Sequence, residues 1–142
     1  MKVVLDTNVL LVSVSRNSPL HWIWQSMLDK KYTLCVTTDI LLEYEEILER
    51  HMGTQVSKNV MESLDNMKNV ERVTRWFQFN LIPKDSDDNK FVDCAVACNA
   101  SFIVSHDKDF NVLKKIPFPK VEVISTTVFW ERLEQRIQKP YL

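Results

Sequence analysis

Glycine is nearly missing from this chain: Gly53 is the only one in 142 residues. That excludes glycine-rich phosphate-binding loops, whose backbone must approach a phosphate closely, and flexible glycine-rich linkers. Cysteine is scarce and odd in number, at three, which fits a reducing cytosol better than a disulfide framework. No apolar run reaches 18 residues, so no transmembrane helix and no membrane partner are expected. The chain enters a strand pattern at once, with Asp6 inside it, unlike a secretory signal. There is no internal repeat and no low-complexity stretch. Positive charge is not in excess either, the formal net charge being -1. Nucleic-acid binders are often basic, but acidic metal ligands lower the net charge and bound divalent ions reverse the local field. The overall sign therefore decides little.

What is present is a normal globular balance, 45% hydrophobic and 26% charged, which argues against disorder. The length suits one domain with its own core. The expectation is a single cytoplasmic domain over residues 1–137, with 138–142 as a loose tail.

Short, continuously apolar runs mark the strands: Val3-Val4-Leu5, Tyr32 to Val36, Val70 to Val73, Phe102-Ile103-Val104 and Val121 to Ile124. Between them fall helical patterns from about Asn8, over Leu20 to Asp29, from Thr37-Thr38-Asp39 to a stop at Gly53, over Val56 to Lys68, over Asn89 to Asn99 and over Thr127 to Ile137. Pro83 to Asp88 reads as polar loop. Strands that are apolar throughout and alternate with helices indicate an α/β fold with a mainly parallel sheet.

Ligands bind outside the carboxyl ends of the strands in such sheets. Asp6 follows the first strand, and Ser105, His106 and Asp107 follow the Phe102 strand. Thr37, Thr38 and Asp39 follow the second strand, with Glu43 on the next helical turns. Asp87 and Asp88 sit at the entry of the Asn89 helix. Four acidic segments can thus meet at one sheet edge. Each acid alone has a plainer reading, since Asp6, Asp88 and Asp107 all stand where helix caps are common. Together they would repel one another unless protonated. A bound cation removes that conflict, and carboxylate oxygens suit Mg²⁺ or Mn²⁺. Such ions polarise phosphodiesters and activate water, so hydrolysis without a Ser or His nucleophile is expected.

The segment Val3-Val4-Leu5-Asp6-Thr7-Asn8-Val9-Leu10 resembles the opening of PIN-domain nucleases. Leu41-Leu42-Glu43-Tyr44-Glu45-Glu46-Ile47-Leu48 resembles their acidic helix. The third and fourth acidic segments are matched by Asp87 to Ala97 and by Ile103 to Phe110. The nearest group is the PIN-family toxins of prokaryotic toxin–antitoxin systems. The resemblance implies a three-layer α/β/α sandwich and a Mg²⁺- or Mn²⁺-dependent ribonuclease cutting single-stranded RNA. It also implies a cognate antitoxin and a homodimer. By position, the catalytic acids would be Asp6, Glu43, Asp88 and Asp107. Asp6 would be a direct ligand, Glu43 and Asp107 would complete the ion's shell, and Asp88 would bind the ion or orient the attacking water. Thr7 and Ser105 would hold carboxylates, and Asn8 would help orient Asp6. Asp93 competes with Asp88 for the third position, Asp109 with Asp107 for the fourth, and Glu46 more weakly with Glu43. Glu46 can instead pair with Arg50 at i+4.

Lys84, Lys90 and Lys108 flank the acidic segments and are candidates for phosphate contact, although solvated lysines are the plainer reading. Cys94 and Cys98 share a helix face but lack further zinc ligands and read as core. Trp22, Trp24, Trp76 and Trp130 read as core or interface. Three rival functions fit the sequence less well. A haloacid-dehalogenase-type phosphohydrolase usually has a second Asp two residues after the first, where this chain has Asn8. A receiver-like signalling domain needs an acceptor Asp after a middle strand. A silent PIN-fold RNA-binding module would not need all four acidic positions filled.

Overall fold

A computed structural model describes residues 1–74, 78–82 and 88–138. Its elements run β1 (Lys2–Leu5), α1 (Thr7–Val14), α2 (His21–Leu28), β2 (Thr33–Val36), α3 (Thr38–Met52), α4 (Thr54–Asn66), β3 (Val70–Arg72), α5 (Asn89–Cys98), β4 (Phe102–Val104), a 3-10 helix (Lys108–Lys115), β5 (Val123–Ile124) and α6 (Thr126–Gln138). The five strands lie in the order β3-β2-β1-β4-β5, and every pair is parallel. Val3, Val4 and Leu5, Leu34, Cys35 and Val36, and Phe102, Ile103 and Val104 are all at most 1% exposed. Strands apolar on both faces need cover on both. The helices supply it and make the chain an α/β/α sandwich.

The strand order sets the site. From β1 the chain moves outward to β2 and β3, then returns to the other side of β1 for β4 and β5. The carboxyl end of β1 is therefore the switch point, where neighbouring connections diverge and leave a crevice. Val3↔Phe102, Val4↔Ile103 and Leu5↔Val104 stand in register, so residues 6 and 105 leave the sheet side by side.

Local chemistry explains several boundaries. Thr37 caps α3 by accepting from the Ile40 amide at 3.3 Å. Gly53, at φ 92°, ends α3 and precedes α4; positive φ is strained for other residues. Helix α4 starts at Thr54, two residues before the apolar pattern does. The last strand is shorter than its apolar run, because only Val123 and Ile124 pair with β4. Beyond Asp107, the chain forms a 3-10 helix that runs to Lys115.

Asn69 donates to the carbonyls of Met27 and Tyr32 at 2.8 and 2.9 Å, tying α2 to the start of β2. Trp22 stacks against Phe129 and Trp130, and Phe129 in turn touches Tyr32 and Phe102, so α6 closes over α2 and β4. Trp24 is buried and Trp130 is exposed. Cys35, Cys94 and Cys98 are free thiols, all buried. Trp76, Lys84 and Asp87 lie outside the described residues.

Candidate metal centre at the carboxyl end of the sheet

Asp6 leaves β1 at the switch point, and its amide donates to the Val104 carbonyl at 3.1 Å. The residue is 7% exposed. Its position is the N-cap of α1, but its Oδ2 accepts the Ser105 hydroxyl at 2.7 Å. Burial raises the Asp6 pKa above the ordinary carboxylate value. The Ser105 bond opposes that rise, Asp107 adds to it, the Asn8 backbone amide opposes it, and Glu43 adds to it. A negative charge here is thus costly in the bare protein, through desolvation and like-charged neighbours. A cation in the cluster would relieve both.

Ser105 serves two acids. Its Oγ donates to Asp6 and accepts from the Asp107 amide at 3.0 Å. Asp107 accepts from the Asp109 amide at 2.9 Å, which caps the 3-10 helix. Asp88, at the N-cap position of α5, is buried. Asp88, Asp107 and Asp109 each place a carboxylate oxygen within 4.8 Å of the other two. That spacing and all-oxygen donor set fit a hard divalent cation.

Of the two alternatives for the third acid, it is Asp88 that joins this cluster. Asp93 is 2% exposed and accepts from the Phe79 amide at 3.2 Å. Of the two for the fourth, both Asp107 and Asp109 are present. Glu46 is turned away and pairs with Arg50 at 2.8 Å. Glu43 faces inward: the Thr7 hydroxyl donates to its Oε2, and Lys90 donates to its Oε1 at 2.7 Å. Lys90 is therefore no solvated loop lysine, being 16% exposed at its side chain. Lys108 is exposed at the start of the 3-10 helix. The Asn8 side chain is exposed, so its influence on Asp6 comes through the backbone amide.

Two positioning residues carried no signal in the sequence. Tyr44 is fully buried and donates to the Leu5 carbonyl at 2.6 Å, which fixes α3 against the end of β1 and so aims Glu43. Asn89 brackets Ile82, donating to its carbonyl and accepting from its amide, both at 2.9 Å. That pair of bonds anchors the residue next to Asp88. A groove of about 400 Å³ opens beside the acids, lined by Asp6, Asn8, His106 and Asp107 together with Val9, Val12 and Leu20. His106 contacts Thr126 Oγ1 at 3.0 Å.

The family model for the PIN domain matches residues 2–109, a span that contains Asp6, Glu43, Asp88, Asp107 and Asp109. The chain belongs to the PIN domain family. No curated protein matches it. Among solved structures, this PIN domain is similar to a chain of VapBC2 from Rickettsia felis bound to a DNA fragment from their promoter. The TM-score is 0.61 at 14% identity, over 88% of this chain and 98% of that one. It is also similar to VapC20 of Mycobacterium tuberculosis, described as a sarcin-ricin loop cleaving toxin, with a TM-score of 0.53 at 14% identity over 77% and 92% of the two chains. DNA-bound VapBC from Salmonella typhimurium gives a TM-score of 0.56 at 17% identity, over 89% and 98%. At these identities the likeness is one of fold. Among the described residues, no helix of this PIN domain is long and apolar enough to cross a membrane.

Proposed function

We propose that this PIN domain is a Mg²⁺- or Mn²⁺-dependent endoribonuclease that hydrolyses phosphodiester bonds in single-stranded RNA, and that it is the toxin of a cytoplasmic toxin–antitoxin pair. The observation that carries the reading is the meeting of Asp88, Asp107 and Asp109 beside a buried Asp6 whose charge is disfavoured without a cation. The toxin assignment draws on the RNA-cleaving description of the VapC20 relative and on the VapBC neighbours.

Asp6, Asp88, Asp107 and Asp109 would hold the ion. When bound, the ion supplies polarisation of the phosphodiester and a lower pKa for water. The chain's own residues do the positioning. Ser105 fixes Asp6 relative to Asp107, and Thr7 fixes Glu43. Lys90 and Lys108 offer ammonium groups to phosphate oxygens. The apolar wall of Val9, Val12 and Leu20 gives a base a surface beside the acids. Residues 1–137 form the nuclease domain in this reading. An antitoxin and a second copy of the chain are its protein partners, and exposed Trp130 is the aromatic offered to such an interface.

Purified protein should cleave single-stranded RNA with Mn²⁺ or Mg²⁺ and stop on addition of EDTA. Full activity in Asp6→Asn, with contaminating nucleases controlled for, would sink the mechanism.

A further inference from the structure

Glu43 lies outside the three carboxylates that approach one another within 4.8 Å. Both of its oxygens are engaged, Oε2 by the Thr7 hydroxyl and Oε1 by the Lys90 ammonium at 2.7 Å. The pair is withdrawn from water: the side chains of Lys90 and Glu43 are 16% and 23% exposed, against 61% and 65% for the surface pair Arg50–Glu46. Helix α3 brings Glu43, and the first turn of α5 brings Lys90, two residues after Asp88. A cation is thus already built in beside Glu43, the acid whose charge also reaches Asp6.

Two-metal phosphodiesterase centres set their ions about 3.5–4 Å apart, with carboxylates serving both. In this chain Asp88, Asp107 and Asp109 bring three carboxylate oxygens within 4.8 Å of one another, a donor set for one ion, while the Glu43 side carries the ammonium. We propose that Lys90 takes the place of a second divalent ion, so that the centre binds one. This rests on the metal-dependent reading above and adds the ion count and the residue that sets it. Charge favours it, because a divalent ion arriving at Glu43 would meet a fixed positive charge in a partly desolvated site, where repulsion is screened less than in bulk water. The ammonium also suits the role. It has three N–H donors; with one on Glu43, two remain for a phosphate oxygen.

The test is ion counting, independent of catalysis. Mn²⁺ is titrated into EDTA-treated, dialysed protein, with binding followed by calorimetry and free Mn²⁺ by electron paramagnetic resonance. The wild type should bind one ion per chain. Lys90→Met and Lys90→Gln, each checked for an intact fold by circular dichroism, should bind two. Lys90→Arg keeps the charge and should bind one, as should Lys90→Met combined with Glu43→Gln, which removes the ligand for the second ion. Two ions in the wild type, or one in both neutralised variants, would overturn the role of Lys90 and leave the metal-dependent reading standing. No bound ion in any variant would overturn that reading and the Lys90 assignment together.

Discussion

The Ser105 hydroxyl donates to Asp6 Oδ2 at 2.7 Å and accepts the Asp107 amide at 3.0 Å, so one oxygen couples the first and fourth acidic segments across neighbouring strands. Ser105 is 6% exposed, which leaves little room for water to replace it.

Ser105→Ala should therefore keep the fold and weaken the centre. Loss of a partner that orients a ligand typically costs about 10–100-fold in metal affinity or activity. Calorimetric titration with Mn²⁺ and single-turnover RNA cleavage would measure it. Unchanged values in both would show that Ser105 does not orient Asp6.

Asp6→Asn should be more heat-stable than the wild type when metal-free. The substitution removes a charge that burial and two neighbouring acids disfavour, while an amide oxygen can still accept from Ser105. In saturating Mn²⁺ the order should narrow or reverse, because the wild type gains the stabilisation of a bound ligand. Thermal unfolding with and without Mn²⁺ tests this, and a less stable metal-free variant would contradict it.

Tyr44→Phe deletes the buried hydroxyl that reaches the Leu5 carbonyl at 2.6 Å. Leaving a buried partner unsatisfied costs about 1–3 kcal/mol, which urea unfolding would detect. Because Tyr44 also holds α3 against β1, cleavage should fall even at temperatures where the variant is fully folded.

Asn89→Ala removes both bonds to Ile82 and strands two backbone groups. A loss of about 2–3 kcal/mol is expected, as each unsatisfied buried group costs about 1–3 kcal/mol and the chain can partly relax. Mn²⁺ affinity should drop with it, since Asp88 precedes Asn89. Stability lost with affinity unchanged would mean that Asn89 supports the fold without positioning Asp88.

The sequence by itself determined the elements and supplied the acidic positions. Apolar runs with an acid at their end identify β1 and β4, because a strand buried on both faces has no polar alternation to blur it. The Glu46–Arg50 pair was legible too, since i+4 spacing is a local property of the helix. Asp6, Glu43, Asp88 and Asp107 were legible as candidates; the structure gathers Asp88 and Asp107 with Asp109 and ties Glu43 to Thr7 and Lys90. Tertiary structure decided the rest. Pairing of β1 with β4 places Asp6 beside Ser105, 99 residues away, and no local pattern encodes a strand neighbour. Asp88 and Asp93 are five residues apart, about 140° around a helix of 3.6 residues per turn, so only packing against the sheet could choose between them. Lys90 illustrates the limit most plainly. In sequence it is one lysine among several; 47 residues from Glu43, it becomes that acid's fixed cation only when α3 and α5 pack together.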